Sequence, residues 1–344
     1  MQISSKSSAS KNKNQEFSLQ EIFNQLPDFE KNQITELFIH DEKLSSDKSQ
    51  ILKLTSEIQK FAPNLFVSIP VQAKILDQEL AEKLSNIYCS LEIPLSATEK
   101  ITADGTILLF DKKLYSSKAR ILNNLGLVFG FNIDWGIQKG DTFKSFRERL
   151  DFATSLYPNH INFSQLSDLK HYSEPKSTGI YSSKDLDFSR GMAFACKTFY
   201  SAGRAVPWFN SVISALRISP SSFFADFEEW QQCNNCSFET DFNIDETPHL
   251  EIEKMQLLFL REKFEEKHKI SLFTALTDIV KLNGALSRAT AENQESQIQT
   301  SYNPDDIFSP ASSNLEFFTE NVTMENCTVK IFITNEGFAD YKIL

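Results

Sequence analysis

Apolar positions recur at helical spacing over residues 18–31, where Leu19, Ile22, Phe23 and Leu26 form one stripe and Ser18 with Glu21 makes a capping box. A short apolar run follows at 34–39 and reads as a buried strand. The alternation then repeats. Residues 45–61 are helical, with Ile51, Leu54, Ile58 and Phe61 on one face; 65–69 is a strand, 77–84 a helix and 87–93 a strand. A helix over 112–124 is stopped by Gly126. Residues 127–135 are a strand, 142–156 a helix and 160–163 a strand. Strands and helices alternating in this way pair in parallel through right-handed crossovers.

Beyond Ser164 the pattern changes. Segments 184–202, 206–216 and 219–232 read as helices, with Pro207 and Pro220 near their starts. Longer helices follow at 247–268 and 271–288, then a polar loop region at 292–313, and short strands in the last stretch around 328–334. The expected division is a flexible N-terminus (1–16), a partial (β/α) barrel (17–170) and a mostly helical C-terminal region (171–344).

Composition narrows the function classes. The chain has 344 residues, 41% of them hydrophobic and 24% charged, which is a soluble globular composition. Its net charge of −11 argues against a nucleic-acid surface, which needs a basic stripe. No apolar run reaches the roughly 18 residues of a membrane span, and the N-terminus lacks the apolar core of a secretory signal. Five scattered cysteines point to a reducing compartment, so the expected location is cytoplasmic.

Candidate chemistry gathers at strand ends. His40, Asp41 and Glu42 follow the first visible strand and suit the ammonium and carboxylate of a small ligand; the plain alternative is a solvated loop. Ser68 ends the next strand. Glu92 lies within an otherwise apolar one, where a carboxylate must be ion-paired or ligand-bound. Asn132 and Asp134 share a strand face, and the turn at Gly136 and Gly140 leads into a helix N-terminus that can hold an anionic group. Cys233 and Cys236 are the one close thiol pair, open to metal ligation, a reversible disulfide or incidental spacing.

Taken together, residues 34–166 resemble the radical S-adenosylmethionine (SAM) superfamily. Phe38-Ile39-His40-Asp41-Glu42 stands where the family's second-strand motif holds the SAM amino group. Residues 87–92 are similar to its fourth-strand motif, with Glu92 matching the acidic SAM contact. Residues 131–142 resemble its D-x-x-x-G-x-P-G-x-T stretch with Asn132 in place of Asp, and 145–163 resemble the following helix and strand through Asn162. Residues 219–230, SPSSFFADFEEW, resemble the helical C-terminal regions of cobalamin-linked and coproporphyrinogen-oxidase-like members. The resemblance implies an α/β fold: a partial (β/α)6 barrel of radical SAM type with its first strand missing, plus a mostly helical region ending in short strands.

The resemblance also implies a [4Fe–4S] cluster on C-x3-C-x2-C, but that motif is absent; the corresponding positions are Met1, Ser5 and Ser8, and hydroxyls do not replace thiolates as iron ligands. Without a cluster no electron reaches the sulfonium and no 5′-deoxyadenosyl radical forms. The expectation is therefore a radical-SAM-like protein, truncated or cluster-less, keeping a SAM pocket at His40, Asp41, Glu42, Ser68, Glu92, Asn132, Asp134, Gly136 and Asn162. A protein partner supplying the missing motif would restore activity. The alternative is a non-catalytic binding or scaffold protein built on a degenerate SAM barrel.

Overall fold

The computed structural model describes residues 2–29, apart from 5–18, and then 31–344, apart from 104 and 168–174. The chain folds as two units: Met1–Asp141 with Leu156–Ser164, and Thr142–Ser155 with Gln165–Leu344. The helix between the last two strands thus belongs with the C-terminal unit, whereas the sequence division places it in the barrel.

The first unit begins with β1 (Gln2–Ser4) and α1 (Leu19–Phe29), followed by β2 (Glu36–His40). A single turn, α2 (Glu42–Ser45), precedes α3 (Lys48–Phe61); then come β3 (Phe66–Pro70), α4 (Gln78–Leu84) and β4 (Cys89–Pro94). Asp47 and Asp77 start α3 and α4 by accepting backbone N–H groups of the first turn, as helix N-caps do. A hairpin of β5 (Thr98–Thr102) and β6 (Gly105–Leu109) leads to α5 (Lys112–Asn124), which ends at Gly126 with φ +65°. The strands β7 (Val128–Asn132) and β8 (His160–Asn162) complete the unit.

Six of these strands form one parallel sheet in the order β1-β2-β3-β4-β7-β8. The first strand, expected to be missing, is present: Ile3 pairs with Ile39 of β2. Three residues with one apolar side chain carry no periodicity, so the sequence pattern passed over it. The hairpin β5–β6 was likewise not expected.

Strand order equals chain order, so each strand is added to the same edge. Right-handed crossovers then place the connecting helices on one face. The side chains agree. Leu37, Ile39, Val67, Ile69, Leu91, Ile93, Phe129, Phe131 and Ile161 alternate onto one face and are buried. The helices bury matching stripes, including Ile51, Leu54 and Ile58 of α3, and Tyr115 of α5 stands edge-on to Phe131 with ring centroids 6.1 Å apart. The opposite face carries Ser68, Ser90, Glu92, Asn132, His160 and Asn162.

The second unit opens with α6 (Phe143–Thr154), capped by Thr142 and Ser145 reciprocally. After the short α7 (Ser164–Ser167) comes α8 (Ser183–Cys196), which runs into a π-helical turn at Lys197–Ala202. The unit continues through α9 (Phe209–Leu216), α10 (Pro220–Cys233), α11 (His249–Glu266) and α12 (Phe273–Glu292). Its core is aromatic: Phe199, Phe209, Phe223, Phe227 and Phe259 meet mostly edge to face.

Residues 292–313 were expected to be loop, but they contain β9 (Ser296–Thr300) and α13 (Pro304–Ile307). The polar sequence of β9 is stabilised by pairing with β10, where Ile298 faces Val329. The chain ends in α14 (Leu315–Asn321), β10 (Cys327–Ile333) and β11 (Ala339–Ile343), the last two antiparallel. Among the described residues no helix is long and apolar enough to cross a membrane.

Candidate functional site

Glu92 is the centre of the polar face. It is placed there by the alternation of β4, which sends Leu91 and Ile93 into the apolar core and Ser90 and Glu92 to the other side. Its Oε1 lies 2.8 Å from His160 Nε2 and its Oε2 accepts from Asn162 Nδ2 at 2.9 Å. Ser68 and Ser90 hydroxyls add longer contacts to Oε1 at 3.5 and 3.4 Å. Burial works against the charge, but the hydrogen bond and charge of His160, with Asn162 and Ser90, outweigh it and hold the carboxyl below its ordinary value. An ionised carboxylate only accepts, so His160 Nε2 carries the hydrogen and Nδ1 takes any second proton.

The pair spans a strand. Glu92 of β4 is in register with Gly130 of β7, which is in register with His160 of β8. The imidazole crosses the space above Gly130: a Cβ there would stand 2.1 Å from His160 Nε2. One row further along, Asn132 is in register with Asn162, and Asn132 Oδ1 is buried without a donor among the described residues. The site therefore presents an ionised carboxylate and an orphan acceptor to one side of the sheet. That set of acceptors fits a ligand rich in N–H and O–H groups.

The other expected residues stand as follows. His40 and Glu42 are exposed at the end of β2. Asp41 uses its carboxylate as the N-cap of α2, accepting from Lys43 and Leu44 backbone N–H groups at 2.8 and 3.2 Å. Asp134 lies past the end of β7, and the Gly136 backbone N–H donates to buried Asp141 at 2.8 Å, so Asp141 closes the turn before α6. His160 and Gly130 were not singled out from the sequence; the alternation of His160 with Asn162 on one strand face was the available signal.

Among the described residues a cluster finds no fitting ligand set. Cys233 is exposed at the end of α10 while Cys236 is buried beside the Gln231 carbonyl, its thiol pushed by burial to about 11. Burial also raises Cys89 to about 12 and Cys196 well above the usual thiol value. Among the described residues no three His, Cys, Asp or Glu side chains stand together as a metal site. Met1, Ser5 and Ser8 lie outside the described residues.

No family model and no curated protein matches the chain. Solved structures show partial likeness. The cobalamin-dependent S-adenosylmethionine radical enzyme OxsB, solved with aqua-cobalamin bound, is similar at a TM-score of 0.35 and 9% identity over 89% of this chain and 54% of that one. The radical S-adenosylmethionine methyltransferase TsrM from Kitasatospora setae, solved with cobalamin and a [4Fe–4S] cluster, is similar at a TM-score of 0.34 and 15% identity over 43% of this chain. This chain matches 31% of TsrM, so it spans well under two thirds of either neighbour.

Proposed function

We propose that the first unit is a radical-SAM-type partial barrel that binds SAM on its polar face, with Glu92 as the anionic contact, and that the chain does not by itself cleave SAM reductively. The observation that carries this reading is the half-buried, ionised Glu92, gathered with Ser68, Ser90, Asn132, His160 and Asn162 from four neighbouring parallel strands. An ammonium and a ribose diol supply the donors that Glu92 and the orphan Asn132 Oδ1 accept. The lack of a C-x3-C-x2-C motif in these 344 residues supports the second part, and radical chemistry would need thiolate ligands from outside them.

A second reading, a scaffold without ligand, is favoured by one feature. Both oxygens of Glu92 already have protein donors, as in a structural pair. Isothermal titration of the purified chain with SAM separates the two. Saturable binding that weakens roughly 10- to 100-fold in Glu92→Gln, the worth of one charge-assisted hydrogen bond, supports the pocket. Unchanged affinity in the variant, or no binding by the native chain, leaves the scaffold.

A further inference from the structure

We infer that His160 sets the charge of this pocket, so that a cationic ligand binds when the imidazole is neutral and is disfavoured when it is protonated. The inference rests on the SAM-pocket reading and deepens it.

The geometry makes the two residues one electrostatic unit. His160 reaches Glu92 across β7 because position 130 has no side chain, and the contact is 2.8 Å. Protonation at Nδ1 leaves the Nε2–H donor in place, so the hydrogen bond persists in both states while the net charge of the pair changes. With imidazole the pair carries one negative charge; with imidazolium it carries none. In a half-buried setting that difference is felt strongly by a sulfonium or ammonium a few ångströms away.

Few other groups on this face compete for the role. Ser68, Ser90, Asn132 and Asn162 surround the pair and do not titrate in the relevant range. The remaining titratable side chains on the same face of the described strands are Glu36 and His40 of β2, and both are exposed. Asp134 follows beyond the end of β7. His40 is the one other histidine there, and β3 separates its strand from Glu92.

The test is titration of the full chain with SAM at pH 5.5 and pH 7.2, a range in which SAM keeps both cationic groups. 5′-Methylthioadenosine, which has neither, serves as the neutral probe. SAM should bind roughly fivefold tighter at the higher pH, and the neutral probe should show no such slope. His160→Asn should abolish the slope, and His268→Asn, at an exposed histidine of the second unit, should keep it. A slope unchanged in His160→Asn, or absent from the native chain while SAM still binds, overturns the inference and leaves the pocket standing. No SAM binding by any form at either pH overturns the pocket reading itself. Should His160→Asn fail to fold, His160→Gln takes its place, and a slope unchanged in that variant is again a refutation.

Discussion

Gly130 shows how a residue without a side chain can define a site. The space above it is filled by the His160 ring, so any Cβ must push that ring off Glu92. Gly130→Ala should destabilise the first unit by about 1–3 kcal/mol, the range for forcing a group into a filled space. Gly179→Ala is the matched control, because nothing lies within 4 Å of a Cβ at that position. Urea denaturation checks this, and equal midpoints for the two variants would remove the steric argument. Glu92 itself could be read from the sequence, since a carboxylate flanked by Leu91 and Ile93 in a strand demands a partner. His160 could not be found as that partner. Its distance to Glu92 depends on which strands are neighbours, and strand order is set by the fold as a whole. Asp41 is the opposite case: a charged residue after a strand reads as a ligand contact, but its carboxylate caps the next helical turn.

Among the elements, long amphipathic helices were the most legible. Lys112–Asn124 and the capped α6 stand where the periodicity and capping residues put them. Short or polar strands are not legible, because β1 has three residues and β9 has a single apolar residue, Ile298; each is held by its neighbour's backbone rather than by its own pattern. The π-helical turn at Lys197–Ala202 was read as plain helix, since its side chains keep an apolar pattern. It leaves carbonyls without the usual helical partners, and Gln256 of α11 satisfies two of them, donating from Nε2 to Phe199 O at 2.7 Å and Gly203 O at 3.0 Å. Gln256→Leu keeps the bulk and removes the donor. It should destabilise the second unit by about 1–3 kcal/mol, the desolvation penalty of a stranded acceptor. A thermal transition unchanged in that variant would mean that these carbonyls find other donors.

Across the whole molecule, acid should act on the two units in different pH windows. In the second unit, His249 is buried between Arg288 and the Gly203 carbonyl. An arginine only donates, so Nδ1 accepts from Arg288 and Nε2 carries the hydrogen toward Gly203; the ring is neutral. Burial first, then the charge of Arg204, depresses its pKa to about 4 from the ordinary 6.5. A folded value below the unfolded one gives stability that is complete above the unfolded value and is lost as pH falls toward the folded value. His249 thus acts between about 6.5 and about 4. In the first unit Glu92 has the same sign, but its window lies lower, beneath the ordinary carboxylate range. Mild acid should therefore loosen the helices around His249 before it disturbs the polar face of the sheet. Lowering the pH from 7 to 5 should remove about 1–2 kcal/mol from the second unit, and His249→Gln, which keeps a donor toward Gly203, should lose less over the same interval. Amide exchange resolves the units separately: protection in α11 and α12 should fall at pH 5 while protection in β4 and β7 holds. Parallel losses in both units, or an identical pH profile in His249→Gln, would place the acid-sensitive group elsewhere.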